Sequence, residues 1–119
     1  MTKEELQKRT KTFAHRCVKL ACSLPDNTLG KHIRGQLIRS STSVAANYRA
    51  ACVAQSKASF TAKLSIVVEE VDETKFWLEF IENENLFSAA KLASLKQEAN
   101  ELTSIFISAR RTTQTNKKS

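Results

Sequence analysis

The sequence predicts an all-α protein of four helices in one domain, on three observations. Only two glycines and one proline interrupt 119 residues, too few for the tight turns an antiparallel sheet needs. Apolar residues recur at helical spacing in four separate stretches, the pattern of a helix with one buried face. No internal repeat and no linker long enough to divide domains is present, and a chain of this length buries roughly two thirds of the surface its unfolded form exposes.

The first helix opens on a capping box, Thr2 followed three residues later by Glu5. Leu6, Phe13, Cys17, Leu20, Ala21 and Leu24 then form one apolar side, and the spacing predicts a helix to about Leu24. Lys8, Arg9, Lys11, His15, Arg16 and Lys19 fan over the other side. Pro25, Asp26 and Asn27 interrupt it, because the residue before proline disfavours helix and Asp or Asn caps the next one. A second helix starts near Thr28, with Leu29, Ile33, Leu37, Val44, Tyr48 and Cys52 on one flank beside a strip of small residues. The hydroxyls of Ser40 to Ser43 compete for the backbone there, but the flanking alanines and the periodicity outweigh them.

Ser56 is the expected cap of the third helix, whose stripe of Phe60, Leu64, Val67, Val68, Val71 and Leu78 runs down to Ile81. Ile66, Phe76, Trp77, Phe80 and Ile81 point away from that stripe, so the C-terminal half of the helix is apolar over most of its circumference. Four helices cannot bury both sides, and aromatic surface that would otherwise meet water marks a protein contact. A turn follows at Glu82 to Asn85, and then a fourth helix with Ser88 as its cap and Leu92, Leu95, Ala99, Leu102, Ile105, Phe106 and Ala109 in register. The expected division is a bundle over residues 1–111 and a disordered basic tail over 112–119.

Charge is uneven along the chain. Residues 1–60 hold 11 Lys plus Arg against 3 Asp plus Glu, a balance of +8, while residues 61–119 hold 8 against 9, a balance of −1. A basic half attracts polyanions, of which RNA and DNA are the commonest inside cells, although solvated helix faces are also routinely lysine-rich. Lys8, Arg9, Lys11, Arg16 and Lys19 are the candidate phosphate contacts, with Lys31, Arg34 and Arg49 a second patch, in which Arg34 lies towards the apolar flank and has a structural role as its alternative. Aromatic residues are not interleaved with these cations in sequence, so binding of this kind is sequence-tolerant and steeply salt-dependent.

Arg39, Ser43 and Asn47 fall four residues apart on one helical face, and such a polar stripe needs partners once buried. Glu70 and Glu73 on the third helix are the expected partners, making a structural network rather than a catalytic one. A carboxylate di-metal centre would instead require Glu-x-x-His, and no histidine follows either glutamate at that spacing. The serines lack a nucleophile elbow and no glycine-rich phosphate loop exists, so neither catalytic residues nor cofactors are expected and the chain reads as a non-enzyme. Cys17, Cys22 and Cys52 form no CxxC pair and read as reduced thiols, with Cys22 exposed. No apolar run is long enough to span a bilayer and the N-terminus lacks a signal peptide's apolar segment, so a cytoplasmic protein with no membrane partner is expected.

The run QLIRSSTSVAANYRAA from Gln36 to Ala51, preceded by Leu24-Pro25 and followed by Ser56, Phe60 and the Glu73 region, resembles the four-helix-bundle family linked to intervening sequences of bacterial 23S ribosomal RNA genes. Gln36, Arg39, Ser43, Asn47 and Glu73 carry the most specific part of the likeness, which spans nearly the whole chain. Ala50-Ala51 stand where members commonly have Glu-Gly, so a glycine-broken helix end is not expected there. The resemblance implies an antiparallel up-down-up-down bundle and homopentameric rings, and it extends to the nucleic-acid-binding accessory protein of diversity-generating retroelements. Two function classes follow: a self-associating, nucleic-acid-binding accessory protein, or an oligomeric scaffold whose lysines only solvate its surface.

Overall fold

Four helices, α1 (Lys3–Cys22), α2 (Thr28–Cys52), α3 (Lys57–Asn83) and α4 (Ala89–Lys118), make up the computed structural model, which describes residues 1–118 and side chains through residue 115. Each helix packs beside the next in a four-helix bundle about 51 Å long and 22 Å across. α1 and α4 close the ring of helices with the sparsest contact of the four neighbouring pairs.

Local chemistry sets the helix ends. Thr2 Oγ1 accepts from the Glu5 N–H at 3.1 Å while the Glu5 carboxylate accepts from the Thr2 N–H, the reciprocal capping the sequence predicts. α1 stops at Cys22, two residues before the expected Leu24, because Pro25 holds Leu24 out of the helical region and the Ser23 hydroxyl turns back to the Leu20 carbonyl at 2.7 Å. Asn27 Oδ1 accepts from the Gly30 N–H at 2.8 Å and Ser56 Oγ from the Ser59 N–H at 3.1 Å, so α2 and α3 begin at their predicted caps. α3 ends in a Schellman turn. Asn85 takes a left-handed φ of 54°, and the Leu86 and Asn85 N–H groups bond the Ile81 and Glu82 carbonyls.

The Ser40 to Ser43 stretch is helical because its hydroxyls find acceptors within the helix. Thr42 Oγ1 donates to the Ile38 carbonyl at 2.7 Å, and Ser40 and Ser41 reach Leu37 and Ile38. Ser40 and Ser41 are fully buried, as is Thr74 opposite them on α3. Around them the core fills with Phe13, Ile33, Leu37, Val44, Leu64, Leu78, Leu102 and Phe106, and Tyr48 lies against Phe106 at 5.2 Å between ring centroids.

α4 runs on past residue 111, where the sequence reading ends the bundle. Residues 112–118 are helical rather than irregular, since neither glycine nor proline stops them and the Thr112 and Thr113 hydroxyls bond the Ser108 and Ala109 carbonyls. Ser119, the last residue of the expected tail, lies outside the described residues.

Candidate nucleic-acid interface

The bundle sorts the predicted basic residues of α1, with Arg49, into three environments and leaves Lys31 at the surface. Lys8 and Lys11 from α1 and Arg49 from α2 line one groove of about 770 Å³ between those helices, together with His15 and a single acid, Glu4. Ala14, Val18, Ala45 and Ala46 form its floor. The small side chains on α2 let the groove sink between the helices while the long cations stand at its rim, apolar stems down and charges outward. None of the three rim cations pairs with a carboxylate among the described residues.

Arg9 behaves differently. Its guanidinium crosses to α4 and meets Glu98 through two hydrogen bonds, at 2.7 and 2.6 Å, and Glu101 at 2.9 Å. The bidentate bond to Glu98, with Glu101 behind it, raises the pKa of Arg9 and ties its charge to α4 at a half-buried seam. Arg9 therefore bolts the α1–α4 seam and leaves the phosphate-contact set. No motif in the sequence marks Glu98 and Glu101, although their spacing from each other places both on one helical face. Lys31 stays exposed, 3.8 Å from an equally exposed Asp26, and Arg34 donates to the Leu24 carbonyl at 3.1 Å, a structural role.

Arg16 and Lys19 occupy the third environment, at the other end of the α1–α4 seam. They line a pocket of about 480 Å³ with Leu20 and Ser23 from α1 and Phe87, Lys91, Ser94 and Leu95 from the start of α4 and the loop before it. Arg16 Nη2 donates to Ser94 Oγ at 2.7 Å. Sequence reasoning missed Phe87, Lys91 and Ser94, because about 70 residues separate them from Arg16 and no motif marks them.

The polar stripe on α2 forms only in part. Arg39 donates to Glu70 at 3.0 Å and to Glu73, and these bonds, Glu73 first, raise its pKa. With about half of its side chain exposed (49%), the pair lies at the surface rather than in the core. Neither Ser43 nor Asn47 joins those carboxylates; Asn47 Nδ2 donates to the Ser43 carbonyl in its own helix at 2.9 Å. The buried polar link between α2 and α3 is instead Ser40 with Thr74, whose hydroxyls lie 3.0 Å apart. Ser40 sits at i+3 from Leu37, on the core-facing side, and that register was the available signal.

The second apolar stripe of α3 is split between core and solvent, and Ile81, expected on it, is fully enclosed in the core. Phe76 is 51% exposed and Ile66 37%, whereas Trp77 and Phe80 are half-buried and pack against the core. Trp77 stands edge-on to His32 of α2 at 5.6 Å, and Phe76 edge-on to Trp77 at 4.9 Å. Glu69, Asp72 and Glu79 share the exposed side with Phe76. Among the described residues no group of three or more His, Cys, Asp or Glu side chains gathers closely enough to hold a metal ion. No described helix is long and apolar enough to cross a membrane.

Fold and surface together define a small four-helix bundle with a basic α1–α2 face and an apolar, acidic α3 face. Residues 2–108 match the family model of the 23S rRNA-intervening sequence protein, and the chain belongs to that family. It is similar to the 1.70 Å crystal structure of a protein of unknown function from the S23 ribosomal protein family of Bacteroides thetaiotaomicron VPI-5482. Identity is 31% and the TM-score 0.86, over 93% of this chain and 99% of that one. No curated protein matches.

Proposed function

We propose that this protein is a non-enzymatic, cytoplasmic accessory protein that self-associates and binds RNA or DNA without sequence preference through its α1–α2 face. One observation carries the reading: Lys8, Lys11 and Arg49 converge on a single groove whose lining holds one acid, Glu4, and none of the three forms an ion pair among the described residues. Uncompensated cations on one face attract phosphate backbones within a Debye length, about 8 to 10 Å at physiological salt. Three phosphate contacts give a log–log salt slope of about −2.7 on duplex DNA, so fourfold more salt weakens binding about fortyfold. Self-association is part of the same reading: copies in a ring, a pentamer by the family resemblance, multiply weak contacts into avidity. Ile66, Phe76, Trp77 and Phe80 are the proposed contact, and Phe76 and Ile66 supply its exposed part.

A second reading has its own observation. The exposed face of α3 sets Phe76 among Glu69, Asp72 and Glu79, opposite in charge to the alanine-floored, cation-rimmed groove of α1 and α2. A head-to-tail contact between copies would then occupy the groove, leaving an oligomeric scaffold with no nucleic-acid role. One pair of measurements separates them. Lys8→Glu with Lys11→Glu abolishes binding of mixed-sequence duplex RNA and duplex DNA at unchanged particle mass under the first reading. Under the second, wild-type protein binds neither nucleic acid and the same double variant dissociates.

A further inference from the structure

The pocket at the α1–α4 seam differs in kind from the groove beside it. Three cations, Arg16, Lys19 and Lys91, meet there with no acid among its lining residues, and none of the three pairs with a carboxylate among the described residues. The α1–α2 groove, which also gathers unpaired cations, has Glu4 in its lining, whereas Arg9, Arg39 and Lys96 each pair with acids: Glu98 and Glu101, Glu70 and Glu73, and Glu82. Like charges brought together without a counter-charge repel, and an anion seated between them removes the repulsion.

The same pocket holds an aromatic ring. Phe87 is half-buried on its wall, with Leu20 and Leu95 as the apolar floor, and the Lys91 ammonium lies 5.5 Å from the ring centroid. The Schellman turn at Asn85 fixes the short loop that carries Phe87, and the bond from Arg16 to Ser94 fixes the guanidinium across the seam. A volume of about 480 Å³ lies in the range of small-molecule sites, and preformed cation, hydroxyl and ring positions are what such sites use to orient a ligand. Cations beside a stacking ring suit a ligand that joins phosphate to a flat apolar group.

We propose that this pocket binds a nucleoside phosphate, as a free nucleotide or as an unpaired nucleotide of a strand, with Arg16, Lys19 and Lys91 on the phosphate and Phe87 against the base. For a strand-borne nucleotide this rests on the nucleic-acid reading above and adds to it a preference for unpaired over duplex substrate; for a free nucleotide it stands independently. Lys91 and Lys19 are exposed, so Lys91→Glu and Lys19→Glu leave folding intact, and Phe87→Trp places a fluorescent reporter in the wall.

Full-length protein is titrated with adenosine monophosphate, inorganic phosphate, an eight-nucleotide single strand and a blunt duplex, following the added Phe87→Trp fluorescence against the Trp77 background. Quenching by the nucleotide or by the single strand, lost about tenfold or more in affinity with Lys91→Glu while duplex binding holds, is the expected result. Binding of the monophosphate as tightly as the strand identifies a free nucleotide as the ligand, and binding of the strand alone identifies an unpaired strand. Inorganic phosphate competing as well as the monophosphate, or nucleotide and single-strand affinities that ignore both Lys91→Glu and Lys19→Glu, would overturn the proposal. Loss of duplex binding alone in Lys8→Glu, Lys11→Glu protein tests the groove and leaves this pocket unaffected.

Discussion

Ser40 Oγ of α2 and Thr74 Oγ1 of α3 lie 3.0 Å apart with no exposure to solvent, a hydrogen bond in the middle of the helix pair that packs most extensively. Thr74 Oγ1 also lies 2.8 Å from the Glu70 carbonyl, whereas the other contact of Ser40, to the Leu37 carbonyl, is long at 3.4 Å. Thr74→Val keeps the volume and strands Ser40, at a cost of about 1 to 2 kcal/mol. Ser40→Ala leaves Thr74 bonded to Glu70 and costs less. The double variant is expected to cost less than the two singles added together, and a double-mutant cycle by urea unfolding checks the coupling.

Arg39 is expected to contribute little by comparison. Its bonds to Glu70 and Glu73 lie at the surface, where water screens the charges and ordering the side chain opposes the gain. Arg39→Met should cost less than about 1 kcal/mol in urea unfolding. Asn47→Leu should be equally mild, since the Asn47 amide serves only its own helix.

The two glycines predict opposite outcomes for the same substitution. A Cβ on Gly30 would fall 1.9 Å from the Pro25 carbonyl oxygen, which is backbone and has no rotamer to escape into, whereas a Cβ on Gly35 meets nothing within 4 Å. Gly30→Ala should destabilise by about 2 kcal/mol or more, through displacement of the α1–α2 turn. Gly35→Ala should stabilise by about 0.5 to 1 kcal/mol, because alanine loses less backbone entropy inside a helix. Thermal melts of the two variants check the sign.

Cysteine reactivity and alkaline stability follow from burial. Cys17 is fully enclosed, and desolvation pushes its thiol up to about 12 against an ordinary 9.0. Cys22 is exposed, so one thiol should label at once in native protein, Cys52 more slowly, and Cys17 only on unfolding. Because the folded state holds the Cys17 proton and the unfolded state releases it above pH 9, its contribution is intact below that pH and is lost between about 9 and 12. The slope approaches about 1.4 kcal/mol per pH unit in that window, and Cys17→Ala should remove that share of it. Tyr48, also raised by burial, adds its own loss above 10.

Phe76 offers the cleanest test of self-association. Half of its surface meets solvent, so Phe76→Glu leaves the core intact while placing a charge in the proposed contact. Sedimentation should then show smaller particles than wild type with unchanged helicity. Equal mass at equal concentration removes α3 as the interface. Trp77→Glu is a harsher change, since Trp77 packs on His32 and against the core.

Helix number, helix starts and the core stripe were legible in the sequence because each is local. The Thr2–Glu5 box, Asn27 and Ser56 act within one turn, and apolar spacing at three and four residues identifies which side of a helix is buried before any partner is known. Absence of glycine and proline after Ala109 was equally visible, yet the loss of apolar residues there read as a frayed end. Backbone bonding within the helix carried α4 on to Lys118.

Long-range pairing was decided only by the tertiary structure. Arg9 looked like its basic neighbours until the α1–α4 seam set it against Glu98 and Glu101, and Arg16 gained Ser94 and Phe87 as pocket neighbours from the far end of the chain. Periodicity specifies the angle at which a side chain leaves its own helix, but the identity of the group it meets depends on axial stagger and on which helices are neighbours. The sequence by itself determined four amphipathic helices and an excess of positive charge in the first half. Packing then set Arg9 in a seam, Lys8, Lys11 and Arg49 at a groove and Arg16 and Lys19 at a pocket, and left Lys31 exposed, because ion pairing falls off over a few ångströms and only the folded chain sets distances that short.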